Sequence, residues 1–258
     1  MSKTGEDGYE LWLRYRRVND ANRLAQYRKA VASAAVIGTS GTAEIVRSEL
    51  ARALPALFGS VVPLDGRKPT DSALVVGTAD ELDAAGVAVP QVLYRSLGDE
   101  GFLTRSSQSA GGSDQILITG NAEPAVLSGT FHFLRLLQTH QDIRKVDISS
   151  CPRIRHRLLA HWDNIDGSIE RGYAGASLWK WDELPEIIDS RYHDYARACS
   201  SIGINGTVLN NVNAQPQSLT AAYLTKTAAL ADLFRPYGIR VYLSPVLSAP
   251  MRLGELST

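Results

Sequence analysis

The run His161-Trp162-Asp163-Asn164-Ile165-Asp166-Gly167-Ser168-Ile169-Glu170-Arg171-Gly172-Tyr173-Ala174-Gly175 gathers an indole, several carboxylates, an amide and a guanidinium on one short stretch of chain. That mixture suits sugar binding. An indole offers a flat apolar face to a pyranose ring, and carboxylate, amide and guanidinium groups can pair its hydroxyls. The apolar triplet Leu158-Leu159-Ala160 precedes the run, so it reads as the end of a strand emptying into a polar loop. A second polar cluster, Asn210-Asn211-Val212-Asn213, follows Thr207-Val208-Leu209 in the same manner.

Each of these residues has a plainer reading beside the chemical one. Trp162 either stacks on a sugar or packs at the strand mouth. Asp163, Asn164 and Asp166 either bond hydroxyls or cap the loop, because Asx side chains commonly bond nearby backbone. Glu170 and Arg171 read as a semi-buried pair holding the loop rather than a catalytic dyad. A guanidinium so near keeps a carboxylate ionised, which is wrong for a general acid. Gly172 and Gly175 read as backbone requirements of the loop. Asn210 and Asn211 cannot both face one pocket from a regular strand, because side chains alternate. Val212 reads, from its own chemistry, as packing. His161 reads as a satisfied core histidine, and Trp12, Trp179 and Trp181 as packing anchors. His156 and His193 lack acidic or cysteine partners at ligand spacing, so no metal site is expected, and no cofactor.

The elements that position these groups form a repeating unit. A strand at Arg157–His161, a loop, a helix near Glu186–Ser201 and Gly203 lead into a strand at Thr207–Leu209. A helix near Ser218–Phe234, Gly238 and a strand at Arg240–Leu243 follow. Helix, glycine, strand is the βα unit of a parallel sheet, with glycine taking the left-handed position after each helix. Polar residues at every strand C-terminus match a (β/α) barrel, and an open doubly wound sheet would share the property.

Residues 1 to about 150 read as a mixed α/β domain. Tyr9, Leu11, Leu13 and Tyr15 have a strand-like period. Further strands are expected at Ala34–Ile37, Ala73–Val76, Gly101–Thr104 and Gln115–Thr119, with the turn-rich Ser106–Ser113 between the last two. Helices are expected at Thr42–Leu57, from Ala79, and at Pro124–Leu137. Gln141–Arg157 reads as the connection to residues 151–258.

Composition narrows the function classes. Of 258 residues, 44% are hydrophobic and 21% charged, as in ordinary globular chains. Lys plus Arg equals Asp plus Glu at 27 each, leaving no basic field for nucleic acid or an acidic membrane surface. No apolar run approaches the ~20 residues of a membrane span. The N-terminus shows no secretory signal, and Cys151 and Cys199 lack metal spacing, so a cytoplasmic location is expected, with an extracellular one as the alternative.

The strings His161–Gly175, Arg155–Leu159, Leu209–Asn213 and Gly8-Tyr9-Glu10-Leu11-Trp12-Leu13-Arg14-Tyr15 resemble α-glucuronidases of glycoside hydrolase family 67, and the likeness extends along the whole chain. It implies an N-terminal α/β domain followed by the first three βα units of a (β/α)8 barrel. The implied activity is inverting release of 4-O-methylglucuronic acid from xylooligosaccharides. The resemblance places an aromatic like Trp162 against the glucuronic acid and puts Val212 at a pocket-lining position. It also implies that the general acid, the base-side carboxylates and most cations gripping the uronic carboxylate come from later strands. About 100 residues follow Arg157, against ~250 for a whole barrel. The expectation is therefore a chain that stops partway through its barrel, inactive alone, with an open strand edge. The resemblance implies that the parent enzyme dimerises through a C-terminal region, and carries no expectation of a dimer for this chain either way. Two rivals stand beside this reading. One is a non-catalytic carbohydrate-binding or assembly fragment. The other is a nucleotide-binding protein, prompted by Gly38-Thr39-Ser40-Gly41 but lacking G-x-G-x-x-G and a Walker lysine.

Overall fold

Buried apolar runs, rather than alternating ones, mark the strands of the first half. Leu74 to Gly77 and Gln115 to Gly120 are buried throughout, the pattern of strands covered on both faces. The computed structural model describes residues 7–64, 73–89, 97–108, 112, 114–211, 213 and 215–254. The chain divides into two compact units, Met1–Arg153 and Ile154–Thr258.

In the first unit, β1 (Ala34–Val36), β2 (Leu74–Thr78), β3 (Phe102–Gln108), β4 (Asp114–Gly120) and β5 (Asp147–Ser150) form one sheet in the order β1-β2-β4-β3-β5. β1, β2 and β4 are parallel, and β3 runs antiparallel to both β4 and β5. Among the described residues four helices accompany the sheet: α1 (Ala21–Ala30), α2 (Gly41–Phe58), α3 (Ala79–Ala84) and α4 (Glu123–Gln138). Ser40 caps α2 by accepting from Ala43 N at 3.1 Å, and left-handed Gly59 ends it. Val46, Leu50, Leu54 and Leu57 recur at helical spacing and are fully buried. α4 lies close on the sheet at Gly129, where a β-carbon would stand 2.8 Å from Ile118 Cγ2. On the other face Val75 and Leu117 pack with Leu82 and Val87.

Two expectations need correction here, and one helix is added. Tyr9 to Tyr15 is not a strand but a 3-10 turn at Leu11–Arg14. Leu11 and Tyr15 sit at φ 51° and 43°, which breaks extended backbone, yet Leu13 and Tyr15 are still delivered to the interior. Asp20 caps the helix α1, which the sequence reading lacks because its polar composition hides the period. The connection Gln141–Arg157 contains β5, an edge strand whose Asp147 pairs Arg105 at 2.7 Å. Ser109, Ala110, Gly111 and Ser113 of the expected turn lie outside the described residues.

In the second unit β6 (Leu158–Ala160), β7 (Gly206–Val208) and β8 (Arg240–Tyr242) are parallel and adjacent in sequence order. The helix α5 (Ser190–Ser201) connects the first pair and α6 (Ala221–Phe234) the second, with α7 (Ala249–Gly254) after β8. Gly203 at φ 81° and Gly238 at φ 73° make the turns from helix to strand, conformations that cost a side chain about 1–2 kcal/mol. The core centres on fully buried Trp179. Its ring meets Tyr195 edge-on at 5.4 Å and packs on Tyr192 at 5.6 Å and Phe234 at 6.0 Å. Trp181 is buried against Tyr223, so both indoles serve as packing anchors. β6 is exposed at all three positions.

Candidate functional site

The chain leaves β6 by one further ladder bond, His161 N to Val208 O at 2.9 Å, and then doubles back. Asp163 bridges Ile169 in antiparallel fashion. Glu170 N donates to Trp162 O and Asn164 N to Ser168 O, both at 2.8 Å. Residues 162–164 and 168–170 thus form a short two-stranded ribbon across the strand's C-terminal end. Gly167 at φ 82° makes its turn, with Asp166 Oδ1 accepting from Ser168 N at 2.9 Å and Ser168 Oγ at 2.6 Å. Those bonds hold the Asp166 carboxyl below its ordinary range.

Trp162 is 49% exposed and makes no ring contact among the described residues. About half of the residue is thus accessible to solvent. Asp163 beside it is buried. Its Oδ2 accepts from Ser177 Oγ at 2.5 Å and Leu178 N at 3.3 Å, and its carbonyl accepts from Asn211 N at 2.9 Å. Asn164 Nδ2 donates to Ser168 Oγ at 2.9 Å and Glu170 O at 2.8 Å. The side chains of Asp163, Asn164 and Asp166 therefore bond the loop itself, the plainer of the readings open to them.

Asn210 is also buried. Its Nδ2 donates to Ser244 O at 2.9 Å and its Oδ1 accepts from Ser244 N at 2.8 Å, so the amide imitates one more ladder step between the ends of β7 and β8. Asn211 Oδ1 accepts from Asn213 N at 3.0 Å, while its Nδ2 makes no hydrogen bond among the described residues. Both asparagines lie past the end of β7, so strict alternation does not govern them. Val212 lies outside the described residues.

The expected Glu170–Arg171 pair does not form. Arg171 is exposed and no ion pair joins it to Glu170. Glu170 sits at φ 57°, which ends the ribbon and turns consecutive side chains apart. Glu170 is half-buried, with Oε2 shielded from solvent and without a hydrogen-bond donor among the described residues. Gly172 at φ 91° has open space around it, so its conformation, not crowding, calls for glycine.

Behind the ribbon runs a polar chain that spacing alone does not reveal. His161 Nε2 lies 2.9 Å from Tyr195 Oη, which lies 2.8 Å from Thr207 Oγ1, and His161 Nδ1 is 3.8 Å from Asp163 Oδ1. Burial pushes the His161 pKa below its ordinary value, against the pull of Asp163. Burial likewise pushes the Cys199 thiol up to about 11. Tyr195 lies on the helix α5, and its hydroxyl links the His161 ring to Thr207. Ser177 carries no sequence signal at all.

The other candidate, Gly38-Thr39-Ser40-Gly41, does not offer an anion cradle. A β-carbon at Gly38 would stand 2.3 Å from Glu81 Oε1, so a carboxylate already occupies the place a phosphate would need.

Comparison with known proteins gives this geometry its family. The model of the glycosyl hydrolase family 67 N-terminus matches residues 11–133, and that of the family's middle domain matches residues 136–258. The chain is 34% identical, over its whole length, to a probable alpha-glucuronidase A of Aspergillus fumigatus and to alpha-glucuronidase A of Emericella nidulans. It spans 29% and 30% of their respective lengths. Two solved structures share the fold at 14% identity. A family GH115 4-O-methyl-alpha-glucuronidase with specificity for decorated arabinogalactans matches with a TM-score of 0.52, covering 80% of this chain and 28% of that one. A GH138 enzyme targeting pectin rhamnogalacturonan II matches at 0.53, covering 82% and 24%. By these matches the chain belongs to glycoside hydrolase family 67, along whose N-terminal and middle domains it aligns.

Proposed function

We propose that this chain supplies the N-terminal α/β domain, over about residues 1–150, and the opening strands of the (β/α)8 barrel, over 151–258, of an α-glucuronidase. The enzyme's reaction is hydrolysis of the α-1,2 bond that joins (4-O-methyl)glucuronic acid to xylooligosaccharides, with inversion. Three parallel strands, neighbours in sequence order and each followed by a polar loop, support the barrel reading. The observation that carries the function is Trp162, a half-exposed indole at a parallel strand's C-terminal end, on a ribbon tied by buried Asp163. In barrel enzymes that end carries the chemistry.

Trp162 stacks on the uronic acid ring, and Asn211 Nδ2 donates to one of its oxygens. Val212 lines the same pocket. Asp163, Asn164 and Asn210 hold these groups in place. Inverting hydrolysis needs an acid and a base carboxyl ~6.5–9.5 Å apart, on opposite sides of the scissile bond. Asp163 Oδ2 is held by Ser177 and Leu178, and Asp166 Oδ1 by Ser168, which ties both carboxylates to the loop. Residues 1–258 therefore bind the sugar without cleaving it.

Titrating the 258-residue polypeptide with aldouronic acids, while following indole resonances, tests both halves. Trp162 should shift on binding, Trp162→Ala should not bind, and no glucuronic acid should be released. An unmoved Trp162 resonance would remove the stacking role; released glucuronic acid would remove the division of labour.

A further inference from the structure

We propose that Tyr173 is a specificity-determining residue of this site, its ring a platform for the xylose residues that carry the uronic acid. The proposal rests on the glucuronic-acid reading above and extends it from the sugar that is released to the chain it leaves.

Hydrogen bonds fix where Tyr173 is carried. Ser168 bridges Ala176 in antiparallel fashion, Ser177 N donates to Gly167 O at 2.8 Å, and Gly172 N donates to Ile169 O at 2.9 Å. Residues 171–175 are thus a tip closed at its base. Asp163 ties both limbs of that base: it bridges Ile169, and its Oδ2 accepts from Ser177 Oγ at 2.5 Å. The backbone of Trp162 joins the same base, because Glu170 N donates to Trp162 O at 2.8 Å. Three residues of chain span at most about 11 Å, so the Tyr173 α-carbon lies no farther than that from the Glu170 α-carbon. Trp162 and Tyr173 are therefore carried on one bonded framework, within the span of a short oligosaccharide.

The side chain itself is uncommitted. Tyr173 is 77% exposed, and among the described residues its ring packs on no aromatic and its hydroxyl makes no hydrogen bond. Arg171 through Ala176 are exposed with it. Gly172 at φ 91° and Gly175 at φ 104° flank the ring, and a β-carbon at either would meet nothing within 4 Å. Left-handed backbone rather than crowding therefore sets the path of the tip. A single exposed aromatic is ordinary on a protein surface. A second one on the framework of a half-exposed indole offers carbohydrate a second flat face. Xylose suits it: the ring is uncharged, apolar on its faces and hydroxylated at its edge, where the phenol hydroxyl can donate or accept. Xylose residues attached to a uronic acid at the strand end extend into solvent, the medium in which the tip stands.

Calorimetric titration of the 258-residue polypeptide with methyl α-glucuronoside, which has no xylose, and with aldouronic acids of increasing xylose length tests this. Tyr173→Ala should bind the methyl glycoside as wild type does and the longer aldouronic acids about five- to tenfold more weakly, the scale of an aromatic stack. Tyr173→Phe, which keeps the ring, should recover most of that loss. The Tyr173 ring resonances give a measure that needs no variant: they should move with xylose-bearing ligands and stay still with the methyl glycoside. Equal affinity of wild type and Tyr173→Ala for the longest ligand overturns the proposal. So does an equal loss on every ligand, the methyl glycoside included, which assigns Tyr173 to the uronic ring or to loop support. Wild type that binds no ligand, or Trp162→Ala that binds the methyl glycoside as well as wild type, sinks the glucuronic-acid reading itself. The two failures are thereby distinguishable.

Discussion

Asp163 and Trp162 are adjacent in the chain and opposite in kind: one is buried and internally bonded, the other is open to solvent. Substitutions should separate them. Trp162→Ala removes a half-exposed side chain without ring partners among the described residues, so its Tm should fall by no more than a few degrees, while sugar affinity falls about tenfold or more, the scale of an aromatic stack. Asp163→Ala strands the Ser177 hydroxyl and the Leu178 N–H in the interior, at a cost of about 2–4 kcal/mol. Thermal melts followed by Trp179 fluorescence should show that loss directly. Equal stability for the two variants would mean that Asp163 is not the scaffold of this mouth.

At the scale of elements, the link between the ends of β7 and β8 is made by a side chain. Asn210 exchanges two hydrogen bonds with Ser244, so Asn210→Ala should cost about 2 kcal/mol and increase amide exchange at Ser244, with β6 little affected. Asn210→Asp can still accept from Ser244 N but cannot donate to Ser244 O, and should recover only part of the loss. This is also where sequence and structure part company. Helix, glycine and strand are local events, so Gly203 and Gly238 mark both turns of the second unit in the sequence. The buried stretches of β2 and β4 are equally plain. Asn210 in a row of asparagines, Ser177 and the Tyr195 hydroxyl are not plain, because each takes its meaning from a partner more than ten residues away. α1 and β5 escape for a related reason. α1 is largely polar and β5 is an exposed edge, so neither shows a clear hydrophobic period. The Glu170–Arg171 pairing fails because adjacency in sequence says nothing of direction once one residue adopts a left-handed backbone.

At the scale of the whole molecule, acid should loosen the packing around two half-buried histidines. Burial lowers the pKa of His161 in the second unit and of His132 in the first, where Arg135 lowers it further. A histidine whose folded pKa is depressed is neutral in both states above about pH 6.5, so it leaves stability independent of pH there. As pH falls through about 6.5 the unfolded chain takes up a proton that the folded chain refuses. Stability then drops until the folded pKa is reached and is flat below it, as far as this group is concerned. Melting curves between pH 7.5 and pH 5, buffered at about constant ionic strength, should show Tm declining over that interval, before most carboxylates titrate at about pH 4. His161→Gln should flatten the part of the decline that belongs to the second unit, followed through Trp179, whose ring lies 5.1 Å from the imidazole. His132→Gln should flatten the part that belongs to the first unit, followed through Trp12, which packs on Phe131 at 6.2 Å. An unchanged slope in both variants would place the acid sensitivity elsewhere. A slope abolished by either one alone would assign the acid sensitivity to that histidine.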